Sequence, residues 1–314
     1  MLQVLLFFVA FVGAQQSPCT NVQGNSIYSP CGCVVNEEDN SANVTCVMVG
    51  NQEIRNVFKD SVAQNINQFS IVPLAGQTQL LIEADLLYGK RAKIIKIASC
   101  SKNELIQSLE IDPEAFLASS GYTQEFSIAE CDIDQINFRF LENFDQLTDF
   151  SLINVANIRT IGTLPLLANI DSLSIVESTG FKNPLLIFPA QSLPSLSKFV
   201  LKGNTDLDNR VANEILSLIV SNGVGLRQIT LTNSQLVTQV PNNIVDIPSL
   251  NYIDLSSNSI ALIGPNTFNF TDYRTVRLID LSNNQLTAVS DNAFSQGDTL
   301  CPLFSKILLN LTTE

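Results

Sequence analysis

The side chains that could do chemistry in this chain are carboxylates and cysteines, because its 314 residues include no His. Without His there can be no Ser-His-Asp or Cys-His centre, and the commonest metal ligand is missing. Ser-Lys and paired-carboxylate chemistry remain formally possible. Any intrinsic catalysis would therefore have to rest on Asp, Glu, Ser or Lys.

Four of the seven cysteines crowd near the N-terminus: Cys19, Cys31, Cys33 and Cys46. Their spacing, C-x11-C-x-C-x12-C, contains no paired C-x2-C of the kind that zinc knuckles use. In a secreted chain such a cluster is typical of a disulfide module. Spacing alone permits three connectivities among four cysteines.

Three sequons could carry N-linked glycan. Asn43-Val44-Thr45 lies between the third and fourth of these cysteines, where we expect an exposed, glycosylated loop. Asn269 and Asn310 begin the other two, and Asn310 lies inside the last apolar stretch of the chain.

The first fourteen residues, MLQVLLFFVAFVGA, have no charged side chain and end in small residues. A helix needs roughly 20 apolar residues to span a bilayer, so this stretch predicts a signal peptide over residues 1–14 rather than an anchor. We therefore expect a secreted, extracellular protein with no membrane insertion. The formal net charge of −13 repels phosphate backbones, which argues against nucleic acid as a partner.

An internal repeat runs through the rest of the chain. Its clearest copies, LNYIDLSSNSI from Leu250 and VRLIDLSNNQL from Val276, carry apolar residues at positions 1, 4 and 6 and Asn at position 9. The same frame fits weaker copies upstream, with ninth positions 23 to 31 residues apart, and a tenth unit begins near Phe304 and Ile307. Two further apolar residues and a Phe follow each of the two clearest Asn residues.

This repeat predicts a solenoid with a parallel β-sheet. Positions 4 and 6 alternate with polar residues, so each unit forms a short strand with one apolar face, which it can bury only by stacking on its neighbours. The Asn at position 9 can satisfy backbone groups exposed where the chain turns out of the strand. We expect an α/β repeat solenoid, a leucine-rich-repeat horseshoe with its sheet on the concave face and an irregular or short-helical convex side.

The segment SPCGCVVNEEDNSANVTC and the repeats together resemble extracellular leucine-rich-repeat proteins, and more narrowly an arthropod group typified by the non-catalytic subunit of decapod shrimp luciferase. The resemblance implies a cysteine-rich N-terminal cap in which Cys19 pairs with Cys33 and Cys31 with Cys46. It also implies the same repeat architecture and a role alongside another protein. It does not imply the luciferin reaction. The expected organisation is a signal peptide at 1–14, a cap at 15–50 and about nine to ten repeats at 51–314, the last incomplete.

Cys100 and Cys131 occupy the ninth position of successive repeats, one coil apart. A spacing of about 4.8 Å is within disulfide range, but equivalent side chains in parallel coils point the same way. This argument favours two buried thiols, with a disulfide as the alternative. Cys301 stands alone near the C-terminus, and its fate is open.

A charged band is expected on the concave face, where positions 2, 3, 5, 7 and 8 should be exposed. Basic residues flank its acidic middle, and Asp254 and Asp280 follow further on; the middle consists of Glu125, Glu130, Asp149, Asp171 and Glu177. These carboxylates are the candidate partner-binding residues, since they would complement a cationic ligand. A glycosidase pair needs a raised pKa in an enclosed cleft, and calcium needs a compact oxygen cage, so neither chemistry suits an open sheet.

The function expected from the sequence is recognition of an extracellular protein through the concave face. The alternative is a non-catalytic accessory subunit that stabilises a secreted enzyme. We expect no catalytic residue, cofactor or metal in either case.

Overall fold

The structure is a computed structural model. It describes residues 17–308 apart from 22, 49, 62–63, 75, 99–105, 181–187, 190, 223–224, 245–246, 269, 271–274, 297–298 and 301–306. The expected signal peptide, Cys100, Cys301, Asn269 and Asn310 lie outside the described residues.

The described strands are short and numerous. In chain order they are β1 (Gly32–Asn36), β2 (Ser41–Met48), β3 (Asn65–Pro73), β4 (Gln79–Ile82), β5 (Arg91–Ala98), β6 (Ser108–Ile111), β7 (Glu125–Asp132), β8 (Gln135–Ile136), β9 (Asp149–Ala156), β10 (Thr160–Ile161), β11 (Ser172–Val176), β12 (Lys198–Lys202), β13 (Gln228–Thr232), β14 (Tyr252–Asp254), β15 (Leu262–Ile263), β16 (Leu278–Asp280), β17 (Ala288–Val289), β18 (Ser295–Gln296), β19 (Thr299–Leu300) and β20 (Ile307–Leu308).

Twelve of these strands form one main sheet in the order β1-β2-β3-β5-β7-β9-β11-β12-β13-β14-β16-β20. Among the described strands of this sheet, only β1 runs antiparallel to its neighbour, and the other neighbouring strands are parallel. The registers align the repeat frame, since Phe150, Leu173, Phe199 and Ile229 pair in turn at position 4. The periodic sequence therefore folds as the expected parallel-sheet solenoid.

The core lies on one face of the main sheet because positions 4 and 6 of each strand are apolar. These side chains are almost fully buried from Phe69 and Ile71 through to Ile279 and Leu281. Phe268 and Phe294 stack with ring centroids 5.1 Å apart, so the Phe of each clear repeat extends the core behind the sheet. Positions 3, 5 and 7 are on the opposite face, which we call the open face.

The connections between main-sheet strands carry most of the remaining elements. They include two α-helices, α1 (Asn51–Asp60) and α2 (Asn209–Asn222), and 3₁₀ segments at Leu117–Ser119, Arg139–Asn143 and Asn242–Ile244. Four of these connections each contain a short strand, and these strands form a second parallel sheet in the order β10-β8-β6-β4. Among the described residues no helix has the length and apolar character that a membrane crossing requires.

The Asn residues at position 9 link successive coils through their side-chain amides. Asn258 Nδ2 donates to the carbonyls of Leu231 and Leu255 at 2.7 and 2.8 Å, while Asn258 Oδ1 accepts from the Ser234 amide at 2.9 Å. Asn204 and Asn284 make the same kind of bonds to neighbouring coils. The amides thus satisfy buried backbone groups where the strands end, as predicted.

The N-terminal region closes the first edge of the sheet. Disulfides join Cys19 to Cys33 and Cys31 to Cys46, which is the pairing that the sequence resemblance implies. Asn43, however, lies in strand β2 rather than in an exposed loop, and it accepts a hydrogen bond from Asn67 Nδ2 at 2.9 Å. The loop expectation was wrong because β2 joins the main sheet and continues the alternation of buried and open-face residues into the cap.

Cys131 is disulfide-bonded, which corrects the preference for a free thiol at this position. Its partner lies outside the described residues. The preference assumed regular strand geometry through position 9. Glu130 instead has φ 55°, which interrupts the extended backbone inside β7 just before Cys131. The regular alternation of side-chain directions on which the preference relied is therefore broken at this position, although Cys131 still pairs with Val155.

Candidate functional site

The open face is the candidate site because the solenoid presents there a continuous, ordered array of side chains. Each repeat position forms a row across the sheet, since the strands pair in one register. Neighbouring members of a row stand about 4.8 Å apart, and successive rows on this face are two residues, or about 6.6 Å, apart along the strands.

The five predicted carboxylates do not form one band. Glu125 and Asp149 pair directly in the third-position row, and Asp171 lies one residue before strand β11. Glu130 and Glu177 occupy position 8, five residues further along their strands, or about 16 Å from the third-position row. The structure therefore separates the acidic residues into two lines, one at each side of the open face.

The carboxylates at the first side make local contacts. Lys96 Nζ lies 3.8 Å from Glu125 Oε1, and Thr148 Oγ1 donates to Asp149 Oδ2 at 2.8 Å. Asp171 accepts a hydrogen bond from the Ser197 hydroxyl. These groups are largely solvated, so each contact contributes at most about 1 kcal/mol to stability.

The eighth position has a backbone conformation that the repeat pattern did not reveal. Every described residue there from β7 onward has positive φ; they are Glu130, Asn154, Glu177, Gly203, Asn233, Ser257 and Asn283. Glu177 also lies against Gly203, where an added Cβ would approach Glu177 Cγ to 2.9 Å. The second acidic line thus lies where the backbone turns left-handed, inside strand β7 for Glu130 and just after strand β11 for Glu177.

Between the two acidic lines lie two rows that the sequence analysis did not single out. The fifth-position row consists mainly of hydroxyl residues with one lysine: Thr45, Ser70, Lys96, Ser127, Ser151 and Ser174. The seventh-position row is wholly apolar across the same six strands, and we call it the apolar stripe: Val47, Val72, Ala98, Ala129, Ile153 and Val176. Val47 and Ile153 keep 54% and 39% of their surfaces exposed.

The stripe could have been found from the sequence by reading position 7 down the repeats. The search for charged residues passed over it. It ends at Lys202, which pairs with Val176 and is exposed.

A different group occupies the C-terminal part of the open face. Tyr252 stands at position 3, and Asp254 and Asp280 pair at position 5. Burial raises the pKa of the Tyr252 hydroxyl above its ordinary value, and the negative charges of Asp254 and Asp280 raise it further. Each carboxylate also accepts a backbone amide, from Ser256 at 3.0 Å and from Ser282 at 2.9 Å.

The described open face is an extended surface rather than an enclosed site. Among the residues that the structure describes, no group of three or more His, Cys, Asp or Glu could hold a metal ion. Two depressions, of about 670 and 720 Å³, are lined by connection residues such as Glu110 and Leu262 rather than by the open face.

No protein-family model matches this sequence, and no curated protein does either. The crystal structure of the TLR13–ssRNA13 complex is similar over 79% of this chain, with a TM-score of 0.56 and 14% sequence identity. The similar part covers 32% of that chain. At this identity the likeness shows the fold alone, which is a leucine-rich-repeat solenoid with a long parallel sheet and few helices.

Proposed function

We propose that this chain is a secreted leucine-rich-repeat binding protein whose open face recognises a protein partner. The observation that carries the proposal is the open face itself. It crosses eleven parallel strands in one register and presents apolar and charged side chains that are partly exposed. Extended surfaces of this kind are what solenoids use for binding.

Secretion is supported by the predicted signal peptide at 1–14 and by the disulfides, since such bonds persist in oxidising compartments. Glycans at Asn43, Asn269 and Asn310 belong to the same proposal. Although the similar crystal structure is a complex with ssRNA13, the net charge of −13 makes RNA a poor partner for this chain.

The partner is a protein because the rows alternate apolar, hydroxyl and charged side chains over several tens of ångströms. A small ligand would need an enclosed pocket that buries most of its surface. The open face offers length and mixed chemistry instead, which suits a protein surface with an apolar core and a polar rim.

The second candidate is an accessory subunit of a secreted enzyme. The resemblance of the cap and the repeats to the non-catalytic luciferase subunit favours it. In this case too the open face would hold the partner, and the catalysis would belong to the partner.

Purification from the native secretion tests the proposal. Mass spectrometry identifies the stoichiometric partner, and its activity separates an enzyme from a non-enzymatic ligand. Hydroxyl-radical footprinting of the complex should then protect Ile153, Val200 and Tyr252 on the open face but leave Leu81 and Leu262 reactive. A monomer with no partner at native concentration, or protection of Leu81 and Leu262 instead, would contradict the proposal.

A further inference from the structure

We infer that the partner carries an apolar ridge flanked on both sides by Lys or Arg, and that the ridge seats on the apolar stripe. This inference rests on the proposed function and specifies the chemistry of the partner. The stripe crosses six strands, and its exposed members are not explained by the core, since the buried face of the same strands already holds positions 4 and 6.

The dimensions of the surface fit a protein segment. Five steps of about 4.8 Å make the stripe about 24 Å long, and four residues between the third and seventh rows make the face about 13 Å wide. A helix is about 10 to 12 Å across with its side chains, and 16 residues of helix are about 24 Å long. One amphipathic helix of some four turns would therefore cover the stripe and the neighbouring hydroxyl row.

The charges on either side of the apolar stripe determine which charge the partner should carry beside its ridge. Glu130 and Glu177 directly follow two stripe residues in sequence and are exposed, and Glu125 and Asp149 bound the face on the other side. Lys96 lies near Glu125 and offsets part of that charge, while Lys202 ends the stripe. Cationic side chains beside the ridge would meet carboxylates on both sides.

The same charges argue against other occupants. A second copy of the chain would bring its own acidic lines against these, and each copy carries a net charge of −13. An anionic lipid surface or a nucleic acid would be repelled for the same reason. A basic protein segment is the occupant that both the apolar row and the acidic lines favour.

The test uses a defined probe with the intact secreted chain. The probe is an 18-residue peptide of Leu and Lys whose leucines follow the i, i+3, i+4, i+7 pattern of one helix face. Two matched peptides accompany it: a scramble of the same composition, and a version with Glu in place of Lys. Binding is measured by fluorescence anisotropy. The salt concentration is about 0.15 M, because surface charges are then screened beyond about 8 Å and only close charge pairs contribute to binding.

The expected result is saturable binding of the amphipathic Leu/Lys peptide, with the scramble at least about tenfold weaker and no binding of the Leu/Glu peptide. Ile153→Asn should weaken binding about tenfold, because it removes an exposed apolar contact without adding charge. Glu177→Gln should weaken it about threefold and reduce its dependence on salt. The matched controls Leu262→Asn and Glu110→Gln, exposed residues on other sheets, should leave binding unchanged.

Three outcomes would overturn the inference: no binding of the Leu/Lys peptide, equal binding of its scramble, or equal losses for Ile153→Asn and Leu262→Asn. Footprinting with the native partner distinguishes this failure from failure of the proposed function. Protection of the open face together with a peptide that does not bind would refute only the chemistry of the ridge. Protection confined to the second sheet would refute the binding surface as well.

Discussion

Replacing Asn258 by Ala tests the physical account of the solenoid. The Asn258 side chain is buried and makes three hydrogen bonds: to the carbonyls of Leu231 and Leu255, and from the amide of Ser234. Leu231 and Ser234 belong to the preceding coil. Alanine would break all three bonds and leave three buried backbone groups without these partners.

The expected loss follows from the count of bonds. Each hydrogen bond contributes about 1 kcal/mol net, and a buried group left unsatisfied costs about 1 to 3 kcal/mol. Asn258→Ala should therefore lower the free energy of unfolding by about 3 to 5 kcal/mol. Asn204 makes two such bonds, to Ile175 and from Ser178, so Asn204→Ala should cost about 2 to 3 kcal/mol.

Urea unfolding followed by far-ultraviolet circular dichroism measures both losses, with Asn292→Ala as the control because Asn292 is an exposed Asn in a turn. The control should change stability by less than about 0.5 kcal/mol. If Asn258→Ala were no more destabilising than Asn292→Ala, the ninth-position amides would not hold the coils together as we argue.

Three further predictions concern the cap and the open face. Cys31→Ser should lower the free energy of unfolding by about 2 to 5 kcal/mol, and an unchanged melting temperature in calorimetry would refute a structural cap. Peptide mapping after deglycosylation should find N-glycan on Asn43. Unmodified Asn43 in protein secreted from animal cells would contradict the predicted glycosylation of this residue. Asp254→Asn combined with Asp280→Asn should lower the pKa of Tyr252, measured by ultraviolet titration against Tyr252→Phe. Because folding raises that pKa, stability should fall as the pH rises above the ordinary tyrosine value of about 10, and an unchanged titration would contradict the charge effect.

The sequence was informative wherever one residue type had one physical role in every coil. The apolar residues at positions 4 and 6 allowed the sheet to be predicted. The Asn residues at position 9, such as Asn258 and Asn284, allowed the hydrogen bonds between coils to be predicted. Tertiary pairing determined the features that were missed. Asn43 lies in a segment rich in turn-forming residues, yet its pairing with Gln68 makes that segment a strand.

The candidate site was only partly predictable for a related reason. The repeat frame placed Glu125 and Asp149 together correctly but gave no sign that the backbone at Glu130 and Glu177 is left-handed. Backbone conformation at a single position depends on the bonds to the next coil, such as that from the Glu177 amide to the Lys202 carbonyl at 2.6 Å. The left-handed backbone at Glu130 likewise removed the basis for expecting a free thiol at Cys131.

Blocking the open face with a glycan tests the central claim most directly. Ser151→Asn combined with Ile153→Thr creates a sequon in the middle of the face, and Gln79→Asn combined with Leu81→Thr creates one on the second sheet as the matched control. Binding of the native partner is measured by biolayer interferometry, once mass spectrometry has established that both sites are glycosylated. The account predicts that the first variant loses the partner while the second retains wild-type affinity. Retention of the partner by the first variant, or its loss by the second, would contradict recognition through the open face.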